Sequence, residues 1–176
     1  MNDLIIRMIR AAKLDVNLYE EVEADKGTMG QATLVVVLSS LAAGICSMAL
    51  LGIGGVIGTV LLALVGWYIW AYLTFLIGTK LLPEPQTEAD LGQMLRTIGF
   101  ASSPGLIRIL GIIPGLNIIV NLVASIWMLV AMVIAVRQAL DYKGTLRAVL
   151  VCIIGFIIYL IIMMLITSLF GSPYPA

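Results

Sequence analysis

The sequence predicts an all-α protein: a polytopic membrane helix bundle of five transmembrane helices, preceded by an N-terminal interfacial amphipathic helix. Three observations predict it. The 176 residues are 61% hydrophobic and only 11% charged, with mean hydropathy +1.11, whereas globular domains are about half apolar and about a quarter charged. Charges are missing from long intervals, with none between Lys26 and Lys80 and only Arg108 between Thr97 and Val136. All the basic residues other than Arg108 fall in segments that a five-span layout puts on one side of the membrane. The organisation that follows is an N-terminal segment over residues 1–27, a membrane domain over 28–171 and a short tail over 172–176.

In "DLIIRMIRAAKL", residues 3–14, Leu4, Ile5, Met8, Ile9 and Ala12 share one arc and Arg7, Arg10 and Lys13 lie opposite. This pattern predicts a helix lying on the membrane surface, its basic residues available to anionic lipid, with docking to a partner as the other reading. The apolar stretch is too short and too interrupted by charge for a cleavable signal peptide. In "LDVNLYEEVEADKG", Asp15 caps a short helix carrying Glu20, Glu21, Glu23 and Asp25 and closed by Gly27. These acids are expected to pair with Arg137, Lys143 or Arg147. Glu20, Glu21 and Glu23 do not share a helical face, so no metal site is expected.

The uncharged interval after Lys26 would be about 80 Å long as one helix, against a hydrocarbon core of roughly 30 Å. It must double back, and "LGIGGVIG" at 51–58 is the glycine-rich place to do so. Span one is therefore Met29–Leu51, opened by a capping box of Thr28 and Gln31, and span two is Val56–Thr79. A surface helix then starts at Thr87 as N-cap, with Asp90 three residues on and Leu91, Met94, Leu95 and Ile98 as its stripe. It feeds a short third span, Ile98–Ile113, which carries Pro104. "IPGLN" turns the chain into a fourth, Leu116–Val136, and the fifth is Leu146–Phe170. Four spans with a re-entrant third segment is the rival arrangement. With five, the basic residues put the N-terminus in the cytoplasm and the C-terminus outside.

The candidate site is the polar set inside the spans. Asn117, Asn121 and Ser125 recur every four residues on one face of span four. Ser102 and Ser103 sit at the proline break, and Arg108 follows on the same span. No acidic residue lies in any span to neutralise Arg108. Either Arg108 snorkels outward and pins the three–four hairpin, or it joins the two asparagines in presenting donors to an anion or an anionic lipid.

Catalysis is not expected. Histidine is absent, so a serine at "SSPG" lacks its usual base, no lysine lies inside a span to replace it, and zinc-dependent proteolysis lacks ligands. "GIGGVIG" is neither a dinucleotide fingerprint nor a phosphate loop. Ten basic and ten acidic residues cancel, so the total says nothing about nucleic acid, and no nucleic-acid partner is expected. Cys46 and Cys152 lie in apolar runs as packing residues. No cofactor and no metal is expected.

Three stretches, "LYEEVEADKGTMGQATLVVVLSSLAAGI", "ADLGQMLRTIGFASSPGLIRILGIIPG" and "WMLVAMVIAVRQALDYKGTLRAV", resemble prokaryotic members of the Yip1 family. The resemblance covers the chain from about Leu18 to the fifth span. It implies five spans and a cytoplasmic N-terminus, and it brings no catalytic residue. Eukaryotic relatives act in Golgi and endoplasmic-reticulum trafficking and contact prenylated Rab-type GTPases through cytoplasmic N-terminal regions. Here that region is short, and the Rab-binding role is not carried over. The expectation is a non-catalytic, multi-pass protein of a prokaryotic plasma membrane, binding lipids or other membrane proteins, self-associating or serving as an accessory subunit. The alternative is a small transporter or channel using Arg108, Asn117 and Asn121.

Overall fold

The computed structural model describes residues 2–170, without the side chains of 2, 46–51, 163 and 166–170; the tail 172–176 and the packing of Cys46 lie outside this set. Among the described residues every regular element is a helix and there is no strand. Helix α1 is Asn2–Ala12 and α2 is Val16–Ala24, followed by one 3₁₀ turn, Lys26–Thr28. The run Met29–Leu76 is two helices, α3 (29–51) and α4 (53–76), meeting at Gly52 with φ 60° and ψ −169°. A left-handed φ suits only glycine there, so the reversal expected in "LGIGGVIG" is made at one residue. The two helices then pack antiparallel: a Cβ on Gly44 would lie 3.4 Å from Val56 Cγ1. Helix α4 ends in a π turn, Ile77–Leu81. Helix α5 is Leu91–Ala101, α6 is Asn117–Ala139 and α7 is Thr145–Phe170.

Four stretches are long and apolar enough to cross a membrane: Lys26–Ile45, Gly52–Leu81, Asn117–Ala139 and Thr145–Ile162. The third expected span, Ile98–Ile113, is not a continuous helix. α5 stops at Ala101 and a 3₁₀ helix, Ser103–Ile112, takes over. The reason is Pro104, which has no N–H for the carbonyl four residues back, that of Phe100. Ser103 Oγ donates to that carbonyl at 2.7 Å. The broken segment runs alongside α3 in the same direction, since Cβ atoms on Gly92, Gly99 and Gly105 would meet Met29, Ala32 and Ser39 in turn.

Two expected caps are corrected. Thr28 makes no cap bond to α3; its hydroxyl donates to the carbonyls of Val22 and Asp25, tying α3 to the end of α2. The α5 cap is Asp90, three residues later than Thr87, in a capping box with Gln93. Asp15 does cap α2, accepting from Asn17 N–H at 3.0 Å.

Two apolar clusters hold the bundle. One joins α4, α5, α6 and α7 around Met94, Ile98, Leu140 and Val151; the other joins α1 and α2 to α3, α5 and α6 around Leu18, Tyr19, Val22 and Phe100. Burial of such side chains contributes about 1.5–3 kcal/mol each relative to water. At the charged end Tyr142 Oη, a single donor, lies 3.0 Å from the Gly78 carbonyl and 2.8 Å from that of Leu82, closing the π turn. Arg147 pairs with Glu84 at 3.3 Å.

Candidate functional site

Helices α3, α4 and α6 and the broken segment enclose a cavity of about 350 Å³. Its apolar wall includes Val36, Ala63, Met128 and Met132, and its polar groups come from Ser39, Ser40, Thr59, Trp70, Ser102 and Arg108. The 3₁₀ path positions Arg108. Gly105 lets the segment press against α3 and α6, where a Cβ would fall 2.1 Å from Ser39 Oγ and 2.9 Å from Met128 Sδ. Arg108 Nη2 donates to Ser125 Oγ at 3.2 Å, joining the segment to α6. Trp70 Nε1 is buried in the wall with no hydrogen-bond partner among the described residues.

The expected site residues do not all converge. Arg108 and Ser102 share the cavity; the Ser102 hydroxyl reaches back to Ile98 O at 3.4 Å. Ser103 faces the other way, toward α1, and its hydroxyl serves the proline break. Asn117 and Asn121 bond to each other, Asn121 Nδ2 donating to Asn117 Oδ1 at 2.6 Å and to its carbonyl at 2.9 Å. Of the i, i+4 series on α6, Ser125 is the member that meets Arg108. Ser39, Ser40 and Thr59 were not anticipated. A serine doublet in an uncharged span was legible, but its neighbour across the bundle was not.

Arg7 and Arg10 of α1 are engaged within the protein. Arg7 Nε donates to Glu21 Oε1 at 3.0 Å and Arg7 Nη1 to Gln31 Oε1 at 3.1 Å. Arg10 binds Asp15 Oδ2 at 2.8 Å and Glu21 Oε2 at 2.7 Å. This raises the Arg10 pKa and holds Asp15 below its ordinary value, chiefly through their shared hydrogen bond. Lys13 is exposed. Of the expected acids, Glu21 and Asp25 therefore pair with α1 rather than with Arg137, Lys143 or Arg147; Glu20 accepts from Gln138 at 2.8 Å and Glu23 from Gln93 at 3.2 Å.

A second cavity, about 460 Å³, lies at the charged end between α2, α5 and the α6–α7 loop, with Glu20, Glu23, Arg137, Asp141 and Lys143 in its wall. Burial, and then repulsion by Asp141, pushes the Glu23 carboxyl up to about 7. Arg96, 4% exposed, turns its guanidinium to the end of α2, Nε donating to Val22 O at 2.9 Å and Nη2 to Glu23 O. Among the described residues no group of histidines, cysteines or acids could hold a metal.

A family model described as "Yip1 domain" matches residues 19–166. No curated protein and no solved structure matches the chain.

Proposed function

Because the chain belongs to the Yip1 family and has four helices able to cross a membrane, we propose that it is a non-catalytic, multi-pass protein of a prokaryotic plasma membrane. It binds anionic lipid through the Arg108 cavity and so organises its surroundings or supports a larger complex. In this reading the broken segment 91–112 makes a fifth crossing, with the N-terminus cytoplasmic and the C-terminus outside, as the basic residues favour. One observation carries the proposal: a guanidinium and several hydroxyls open onto a cavity whose other walls are methionine and aliphatic. That combination matches a phosphate-bearing headgroup above an acyl chain.

Native mass spectrometry of protein extracted in mild detergent tests it, wild type beside Arg108→Ala. A phospholipid retained by wild type and lost by the variant is the expected result. Equal retention, or none in either, counts against the cavity as a lipid site. A second reading, transport of a small anion, draws on the broken helix lining the cavity, a device that transporters use at their binding sites. Anion flux into liposomes that falls with Arg108→Ala favours it; no flux above protein-free liposomes counts against it.

A further inference from the structure

The lipid-facing surface is not equally tall all round. On α4 the exposed large side chains run from Ile53 to Tyr72, and on α7 from Leu146 to Leu165. At 1.5 Å per residue each band is about 29 Å tall, matching a bilayer core. On α6 the exposed band runs only from Ile118 to Val130, about 18 Å. Beyond it Ala131 and Ala135 are buried against α2.

Helix α1 closes that short band. Trp127 Nε1 donates to Ala12 O at 2.7 Å, and α1 lies over Ser103 and Leu106. Ile5, Ile6 and Ile9 are about half exposed on its outer side, continuing the apolar surface of α6 and of Ile109 and Leu110. On its other flank Arg7 and Arg10 are already paired with Glu21 and Asp15. Ala12, followed by the exposed Lys13, thus lies at the level of Trp127, roughly midway along α6.

We propose that α1 and α2 form a wedge sunk into one leaflet, so that the hydrocarbon core meeting the α6 face is about 10 Å thinner than that meeting α4 and α7. The partner of the Ile5–Ile6–Ile9 face is the bilayer itself, at its headgroup–acyl boundary. Mismatch between the two sides then thins the membrane locally and draws the protein to thin membrane. This goes beyond lipid binding at Arg108, because it concerns a different surface and holds whether or not that cavity is filled.

Trp127 is a built-in depth reporter. The full chain is reconstituted in phosphatidylcholine vesicles carrying bromines at successive acyl carbons, and the fluorescence of Trp127→Phe is subtracted from that of wild type. An ordinary crossing puts the midpoint of α6 at the bilayer centre. The wedge predicts at least twofold stronger quenching by bromines near the headgroups than by the deepest ones. Strongest quenching by the deepest bromines overturns it. Weak quenching at every depth also overturns it, since a second copy or another protein then covers the face. A second measurement needs no variant: self-association of labelled wild type by energy transfer, across monounsaturated lipids of increasing length. Clustering should be least in the shortest lipids and rise severalfold toward the longest; a minimum at intermediate length overturns the proposal.

Discussion

Arg96 and Arg108 lie twelve residues apart on the same broken segment, yet they are used in different ways. Arg96 is buried at the charged end and spends its donors on the last carbonyls of α2. Those are the carbonyls a helix end leaves unsatisfied, and a cation there also suits the helix dipole. Arg108 opens onto a cavity and meets the Ser125 hydroxyl across the bundle. The first half of the segment is a strut that fixes the N-terminal helices; the second half lines the cavity. Pro104 divides them.

The largest expected effect is at the strut. Arg96→Ala leaves two carbonyls unsatisfied and should cost about 4 kcal/mol, taking hydrogen bonds to charged groups at roughly 1.5–3 kcal/mol each. Thermal unfolding in detergent and limited proteolysis between α2 and α3 would register it. Arg108→Ala should cost about half as much, about 2 kcal/mol on the same scale, while abolishing ligand retention. Equal destabilisation by the two changes would erase the distinction.

Next is the seam that holds the first half in place. A Cβ at Gly99 would sit 2.8 Å from Ala32 Cβ and 3.2 Å from the Ala32 carbonyl oxygen. Backbone cannot yield as a flexible side chain can, so Gly99→Leu should cost about 3 kcal/mol. A similar change at Gly30, with nothing within 4 Å, should cost little.

How much of this contrast was legible in the sequence follows from the range of each interaction. The capping of α2 by Asp15, the reversal near Gly52 and the break at Pro104 are local, and residue type with spacing reveals them. The charge-free intervals located the four long helices within a few residues. The partners of Arg7, Arg96 and Arg108 are 14, 74 and 17 residues away. No local pattern distinguishes an arginine that will cap a distant helix from one that will line a cavity. The misplaced α5 cap has another cause, because Thr87 and Asp90 both satisfy the N-cap rule and only the chain geometry chooses between them.

The charged end should also respond to pH. Glu23 lies near 7 rather than at the ordinary 4.5, because burial and Asp141 disfavour its charged form. A raised folded-state pKa means that the docked α2 is most stable below about pH 4.5 and loses stability as pH rises through about 7. Two and a half units would correspond to about 3 kcal/mol; the carboxyl is partly exposed, and screening reduces this to about 2 kcal/mol. Stability measured from pH 5 to 8 should fall in wild type and stay level in Glu23→Gln. The Arg108 half of the segment has no counterpart, and ligand retention there should not follow the same curve.

The smallest expected effect separates two causes at one residue. Asp141 has φ 53° at the end of α6, where its N–H bonds Gln138 O and the Tyr142 N–H bonds Arg137 O, the pairing of a left-handed helix stop. Glycine favours that conformation by up to about 1 kcal/mol, and asparagine tolerates it well. Asp141→Gly and Asp141→Asn both remove the carboxylate that helps raise Glu23, so both should lower the midpoint of the pH transition. Only the glycine variant should add stability at pH 5, where Glu23 is largely protonated in the folded protein. A gain shared equally by the two variants at that pH would assign the effect to charge, leaving the backbone conformation at Asp141 without measurable strain.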